Sequence, residues 1–288
     1  MSVKKNCYLS IVVVLVVSNI LSWIAVYSLL GPSALVVTFF DIGQGDAMLI
    51  VTPLRHKILI DGGPDNAILE KLNTVMPFWD RHLDAVVLTH PDHDHMGGLV
   101  EVVKNYRVSN VIMPETDKNN SEIEEWQSAI QEKRINVRYG ARGNRLVSGE
   151  AVMAVVHPQT KEAVSSGKND ANDDAIVIRL SFGKNSYLFA SDISGGTEKE
   201  IIKAGDNLKS SILKIPHHGS ASSTTDGFLK SVSPTVAIIS VGKNNYGHPG
   251  EAVFKRMANY DIKVLRTDLN GDIKTVSNGE KIKIVSER

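Results

Sequence analysis

The segment running from Leu88 to Gly98 (LTHPDHDHMGG) places three histidines and two aspartates within six residues, at His90, Asp92, His93, Asp94 and His95. Imidazole and carboxylate together suit zinc, manganese or iron; calcium takes oxygen ligands only. An apolar run ends at His90, so a strand end would fix the first ligand. A tight turn then aims the next ones inward. Gly97 and Gly98 follow, and without side chains they let other backbone approach the site closely. A solvated polar loop rarely carries this density of ligand-type residues directly after a strand.

Other chemistry-bearing residues stand alone, each after an apolar run. His157 follows Val152–Val156, Asp192 follows Tyr187–Ala190, and His217 and His218 follow Ile212–Ile215. His248 comes after Tyr246 and Gly247. One such residue is an ordinary loop residue. Several at strand ends fit a single edge of a sheet assembly, where they converge. The single cysteine, Cys7, excludes a cysteine-built zinc site, a CxxC redox pair and a disulfide framework. Histidine and carboxylate are therefore the metal-ligand stock.

The elements that must hold these residues are short. Residues 34–40, 47–52 and 57–60 read as strands bounded by Gly, Asp and Pro. Residues 85–89 and 108–113 follow as strands, with helices expected over 98–105 and 121–133. In the second helix Ser121 and Glu124 have capping-box spacing. Strands over 152–156, 175–182, 187–190, 212–215, 235–241 and 262–265 alternate with helices over 197–204, 226–232 and 251–260. Strands 273–276 and 281–285 close the chain through Asn278-Gly279, a hairpin turn signal. Runs of strands followed by alternating strands and helices imply two sheets packed face to face with helices outside. Trp79 and Trp126 are expected in the core or at its rim.

The composition is that of a folded globular chain: 288 residues, 42% hydrophobic and 22% charged. Thirty-two basic residues balance 32 acidic ones, so no global field draws nucleic acid. Lys133, Arg134, Arg138, Arg142 and Arg145 form one local basic run, read as a solvated face in preference to a nucleic-acid track.

The motif His90-x-Asp92-x-Asp94-His95 resembles the signature of the metallo-β-lactamase superfamily, H-x-H-x-D-H, with Asp in place of the second His. Together with Phe40–Asp46 (FDIGQGD), Leu59–Gly63 (LIDGG), Pro216–Ser220 (PHHGS) and Tyr246–Pro249 (YGHP), it is similar to one branch, the hydrolase domain of ComEC-type DNA-uptake proteins. The resemblance covers about residues 35–287 and implies an α/β fold, the four-layer αββα sandwich. It implies two divalent metal ions, zinc or manganese. His90, Asp92 and His157 would hold one ion, Asp94, His95 and His218 the other, and Asp192 would bridge them. Metal-activated water would be the nucleophile. His217, His248 and Asp94 are the expected catalytic residues, with His217 also an alternative to His218 as ligand. Asp41, Asp46 and Asp61 are candidates for supporting the ligands, Ser220, Ser222 and Ser223 for holding a phosphate, and His93 occupies a variable position. Many relatives carry Gly-Asp where this chain has Ser191-Asp192.

The implied substrate is a phosphodiester, single-stranded DNA in particular. A phosphorylcholine esterase of the superfamily shares the H-x-D-x-D-H pattern, so an envelope phosphoester is a second reading, and a lactone or lactam a third. A non-catalytic binding module is the reading from another class. The channel region of the DNA-uptake proteins is not in this sequence, so transport is not carried over, and a separate DNA-channel protein is an expected partner.

Residues 7–30 contain no charged side chain. As a helix they would extend roughly 36 Å, enough for the ~30 Å hydrocarbon core. Gly31-Pro32-Ser33 would end that helix. Lys4 and Lys5 precede it, which by the positive-inside rule puts residues 1–6 in the cytoplasm. The expectation is a single-pass membrane anchor with residues 34–288 as an extracytoplasmic hydrolase domain. A cleaved signal peptide is the competing reading.

Overall fold

The computed structural model describes residues 2–30, 34–116, 120–159 and 171–288, and of the first helix the side chains of residues 8–23. The chain divides into two units, Met1–Ser33 and Ala34–Arg288.

The first unit is helix α1, Ser2–Leu30. The membrane anchor expected there, and the extracytoplasmic placement that followed from it, need correction. Among the described residues no helix is long and apolar enough to cross a membrane. Polar side chains break the apolar run within the described stretch, residues 8–23. Ser10, Ser18, Asn19 and Ser22 interrupt it. The helix stop read at Gly31–Ser33 lies outside the described residues.

In the second unit, side chains alternate across the strands. In β2 (Met48–Val51) and β3 (Lys57–Ile60), Met48, Ile50, Ile58 and Ile60 face one cluster while Leu49 and Leu59 face another. Both faces are apolar, so each sheet must be covered on both sides. The remaining strands of the first sheet are β1 (Leu35–Phe39), β4 (His82–Val87), β5 (Arg107–Met113), β6 (Asn136–Tyr139), β14 (Ile273–Ser277) and β15 (Ile282–Ser286). Their order is β15-β14-β1-β2-β3-β4-β5-β6. The second sheet is formed by β7 (Arg145–Ser148), β8 (Ala151–His157), β9 (Val177–Phe182), β10 (Asn185–Phe189), β11 (Ile212–Lys214), β12 (Val236–Ile239) and β13 (Lys263–Arg266), in the order β13-β12-β11-β10-β9-β8-β7.

Between the sheets lies a core that includes Val37, Ile50, Val87, Leu180, Phe189 and Ile238. Outside the first sheet pack α2 (Ala67–Val75), α3 (His93–Asn105) and α4 (Ser121–Glu132), through Ile68, Leu99 and the fully buried Trp126 among others. Outside the second pack α5 (Gly195–Ala204), α6 (Asp226–Val232) and α7 (Glu251–Ala258), through Ile201, Phe228 and Val253. Helix α8 (Thr267–Asn270) follows β13. Each fully buried Val, Leu, Ile or Phe side chain stabilises this sandwich by ~1.5–3 kcal/mol. The four-layer αββα architecture is as expected.

Several details differ from the sequence reading. Helix α3 begins at His93 and not at Gly98, so Asp94 and His95 belong to its first turn. Asn120 caps α4 in place of Ser121, its side chain accepting from Ile123 N at 2.9 Å. Helix α2 and the edge strands β6 and β7 were not expected. Trp79 is 74% exposed, stacked edge-on against Phe78 on the loop before β4, and packs in no core cluster.

Strands β3 to β6 run parallel, as do β10 to β13. Parallel pairing aligns carboxyl ends, so the segments leaving β4, β10, β11 and β12 emerge along one rim of the sandwich. That rim carries the polar residues after each apolar run.

Candidate metal centre

His90, two residues beyond the neighbouring Leu88, leaves the end of β4 fully buried. Its Nε2 lies 3.6 Å from Asp92 Oδ2. The first turn of α3 supplies Asp94 and His95. The loop after β10 supplies Asp192, and the one after β11 supplies His218. Asp94, His95, Asp192 and His218 each offer one atom, all within 4.8 Å of one another. His218 Nε2 is 3.1 Å from Asp94 Oδ2 and 3.2 Å from Asp192 Oδ2, and His95 Nε2 is 3.4 Å from Asp192 Oδ1. The His90 and His95 rings lie 4.1 Å apart.

The four buried histidines share one feature. Each has Nδ1 tied to a neighbouring oxygen: His95 to Asp61 Oδ2 at 2.9 Å, His157 to Ala175 O at 2.9 Å, His218 to Ser240 O at 2.8 Å, and His90 to Thr89 Oγ1 at 3.1 Å. A carbonyl can only accept, so in His157 and His218 Nδ1 carries a proton, and in the neutral ring Nε2 is left with the lone pair. This is how protein ligands to a metal are oriented. In His90 and His95, Nε2 is buried and makes no hydrogen bond. A buried nitrogen without a partner is costly unless something else satisfies it. The donor set therefore fits divalent ions bound by nitrogen and carboxylate oxygen. A second group, Asp46, Asp61 and His95, also has metal-ligand proximity, but here Asp61 and Asp46 lie on the Nδ1 side of His95 and are occupied otherwise. Asp61 accepts from Thr89 N at 2.8 Å and Thr89 Oγ1 at 2.7 Å. Asp46 is ion-paired with Lys214.

Lys214 is the residue sequence reasoning missed. It is fully buried, and its ammonium lies against Asp46, 3.1 Å from Ser191 O and 3.4 Å from Asp192 Oδ1. The signal was a lone lysine inside the apolar run Ile212–Ile215. Burial opposes its charge, but Asp46 and Asp192 outweigh that and hold its pKa above the ordinary lysine value. Lys214 offsets carboxylate charge where water cannot.

The ionisable groups are coupled in the same sense. Burial would raise Asp192, yet the charges of His218, His95 and Lys214 hold it well below the usual carboxylate range. Asp94 is likewise lowered, against burial, by its His218 hydrogen bond and by the charges of His95 and His218. Burial would lower His218, but the Asp192 charge and the carboxylate hydrogen bonds push it up to about 9. His90 goes the other way: burial and the His95 charge drive it well below the ordinary histidine value.

Backbone conformation marks the same loops. Asp61, Ser191, His217 and His218 all adopt φ between +50° and +55°. Non-glycine residues held there are strained and concentrate at functional sites. Ser191 stands where relatives were expected to carry glycine, and its φ of +51° is the reason glycine suits that position. Its hydroxyl donates to Thr89 Oγ1 at 2.8 Å.

A pocket of about 500 Å³ opens over the cluster, lined by Asp92, Asp94, Asp192, His217, His218 and His248 among others. The His217 ring sits 5.5 Å from His248, edge-on, and 6.3 Å from His218. His218 is thus among the converging ligand atoms, and His217 is a wall residue. His157, buried at the end of β8, belongs to neither ligand group. Burial and the charges of His217 and His218 lower His248.

Other expected residues are elsewhere. Asp41 pairs with Arg288 and takes no part. His93 faces outward to Glu122 at 2.8 Å. Ser223 is buried, its hydroxyl bonded to Pro216 O, while Ser220 and Ser222 bond to each other at 3.0 Å. In the basic run, Arg142 is held by Asp206 at 2.6 Å and by Ala204 O at 2.7 Å.

A two-sheet sandwich with histidines and aspartates gathered at the strand ends defines a class. Residues 40–243 match the metallo-beta-lactamase superfamily, and the chain belongs to it. The chain is 31% identical over 255 residues to ComE operon protein 3 of Bacillus subtilis (strain 168), covering 82% of this chain and 32% of that protein. It is 34% identical over 241 residues to Competence protein ComA of Neisseria gonorrhoeae, covering 82% of this chain and 31% of that one. Within the superfamily the chain falls in a ComEC-type branch, and it spans about a third of the length of these relatives. The metallo-beta-lactamase fold protein YhfI from Bacillus subtilis superposes with a TM-score of 0.55 at 12% identity, over 83% of this chain and 99% of that one. Family, fold and the Asp94, His95, Asp192 and His218 cluster are those of a metal-dependent hydrolase, and the superfamily fold with its candidate ligands suggests two metal ions.

Proposed function

We propose that this protein is a metal-dependent phosphodiesterase whose substrate is DNA, single-stranded DNA in particular. The observation that carries the reading is the set of buried histidines with Nδ1 anchored and Nε2 directed away from that anchor, with Asp94 and Asp192 beside them under a pocket open to solvent. The competence relatives, matched over most of this chain, support DNA as the polymer.

Asp94, His95 and His218 would hold one ion, His90 and Asp92 with His157 the other, and Asp192 would be shared. Manganese and zinc both suit this mixed nitrogen and oxygen set. When bound, such a pair polarises a phosphoryl oxygen and lowers the pKa of coordinated water toward neutrality. The protein's part is positional. Asp61, Ser240 O and Ala175 O fix the rings of His95, His218 and His157. Lys214 pairs with Asp46 and helps keep Asp192 ionised without water. His217 and His248, on the pocket wall, are placed to bind a phosphoryl oxygen and pass a proton to the departing one.

The test is hydrolysis of bis-p-nitrophenyl phosphate and of single-stranded DNA with added manganese or zinc. His90→Ala and Asp192→Ala should each lower the rate by at least about 100-fold. His217→Ala should slow DNA cleavage by about 10²-fold or more, the scale of general acid catalysis. It should slow the aryl ester much less, because nitrophenolate leaves without a proton. Turnover of a lactam or lactone, with neither phosphodiester cleaved, would overturn the substrate class.

The described lining gives no support to a choline-bearing substrate. A quaternary ammonium is held by several ring faces, and Tyr246 is the one phenol or indole ring among the described lining residues.

A further inference from the structure

Tyr246 is 76% exposed at the edge of the metal-site pocket, and no step of the proposed chemistry uses it. A tyrosine ring left in water forfeits the burial that ordinarily stabilises it. The loop nevertheless holds the segment in place. Asn244 Oδ1 accepts from Tyr246 N and from His248 N, both at 3.1 Å, and its Nδ2 donates to His248 O at 2.8 Å and to Gly242 O at 2.9 Å. One side chain thus staples both flanks of Gly247. The Tyr246 ring lies 6.0 Å from His248 and inclined to it by 32°, and His248 lies 5.5 Å from His217. A row of rings runs from the rim to the ligand cluster.

The charges on the pocket wall say what such a ring is needed for. Asp65, Asp92, Asp94 and Asp192 line it, and among the described lining residues there is no lysine or arginine. A polyanion reaching this wall gains nothing from a basic groove. Affinity must come from the ions at one end and from uncharged contacts elsewhere. An exposed aromatic ring on a held backbone offers stacking, which every nucleobase can accept and which is worth ~1–3 kcal/mol per base. One face makes a platform for a flat ring and not a cage for a cation.

We propose that Tyr246 is the stacking platform for the nucleobase next to the scissile phosphodiester, and so selects unpaired nucleotide chains over phosphodiesters without bases. This rests on the phosphodiesterase reading. In a duplex the base faces are already stacked on their neighbours, so only an unpaired or splayed base can lie on the ring.

The test is fluorescence anisotropy with the full chain in manganese, using two labelled oligonucleotides with cleavage-resistant phosphorothioate linkages: oligo(dT), and the same length with abasic sites. Wild type should bind oligo(dT) more tightly than the abasic strand. Tyr246→Ala should raise the Kd for oligo(dT) by about 5- to 150-fold, the stacking increment converted at ~1.4 kcal/mol per tenfold. It should leave binding of the abasic strand unchanged, and Tyr246→Phe should stay within about threefold of wild type. An equal Kd of wild type for the two strands, or an unchanged Kd in Tyr246→Ala, overturns the proposal. Cleavage of bis-p-nitrophenyl phosphate by wild type alongside either of those results leaves the phosphodiesterase reading standing and removes only the platform. Tyrosine-dependent binding with no phosphodiester cleaved overturns the phosphodiesterase reading and with it the place of Tyr246 beside a scissile bond, leaving a base-binding ring alone. Neither binding nor cleavage removes both.

Discussion

Asp61 is wholly buried, and its contacts are with the protein: Thr89 through two hydrogen bonds and His95 through a third. Burial raises its pKa, and the neighbouring His95 and the Thr89 amide work against that rise. Its place is behind the ring, on the side away from Asp192. From there it decides which nitrogen of His95 points at the ligand cluster. Asp61→Ala should therefore weaken manganese or zinc binding by about 10- to 100-fold, the usual effect of removing a group that orients a ligand. Titration calorimetry on the folded variant measures this. Asp61→Asn keeps one acceptor and should fall between alanine and wild type. Metal affinity equal to wild type in Asp61→Ala would show that His95 does not depend on this contact. The same logic applies to Ser240 O and Ala175 O behind His218 and His157, but these are backbone atoms and no substitution removes them.

At the scale of elements, the site depends on how closely α3 approaches the loops after β1 and β3. Gly62 N donates to His95 O at 2.8 Å, Gly98 N to Gly63 O at 2.9 Å, and Asp46 N to Asp94 O at 3.1 Å. A Cβ on Gly98 would overlap the carbonyl oxygens of Gly62 and Asp65, which are backbone atoms. Gly98→Ala should cost about 1–3 kcal/mol as an overpacked contact, and should weaken metal binding because the preceding turn of the same helix carries Asp94 and His95. Gly227→Ala in α6 is the matched control. Its Cβ would meet only Ile202 Cδ1 at 3.8 Å, and the change should be neutral or stabilising. Thermal unfolding of the two variants separates packing from helix propensity.

The limits of the sequence reading follow from the same contacts. Strands with an apolar face stood out because the residues alternate. β6 and β7 did not, since both are sheet edges with mostly exposed side chains. The start of α3 was hidden because its first turn consists of His and Asp, which in sequence look like loop. Asp92, Asp94 and His95 were legible as neighbours. The meeting of Asp94 and His95 with Asp192 and His218 is tertiary, set by parallel pairing of β10 with β11 and by packing of one sheet on the other. Lys214 carried only a weak signal because a buried lysine is explained by partners more than twenty residues away in the chain. Trp79 shows the converse: its residue type suggested burial, and the loop leaves it in solvent.

For the molecule as a whole, the buried charges tie metal binding to pH. Without ions, His218 has a pKa of about 9 against an ordinary 6.5, so it is protonated at neutrality and pairs with Asp94 and Asp192. A group raised on folding stabilises the protein fully below its unfolded value. That contribution is lost as pH rises through the folded value. The metal-free protein should therefore lose stability between about pH 6.5 and 9 on account of His218. Asp94 and Asp192, lowered on folding, act oppositely: their contribution is present above the ordinary value of 3.8 and is lost as pH falls toward their folded values. An ion requires the neutral ring, so binding must expel the His218 proton. Affinity for manganese or zinc should rise with pH up to about 9 and then level off for this residue. Calorimetry at pH 7.5 in buffers of different ionisation enthalpy should register proton release on binding, and the His218 share of it should vanish near pH 9.5. Across the same window the melting temperature of the metal-free protein should fall. That of the loaded protein should hold, because ligand binding adds stability in proportion to affinity. The gap between them should widen with pH. Binding that releases no proton at pH 7.5 would mean that His218 is not displaced by the ion. The Asp94, His95, Asp192 and His218 group would then be an ion-paired network that only resembles a metal site.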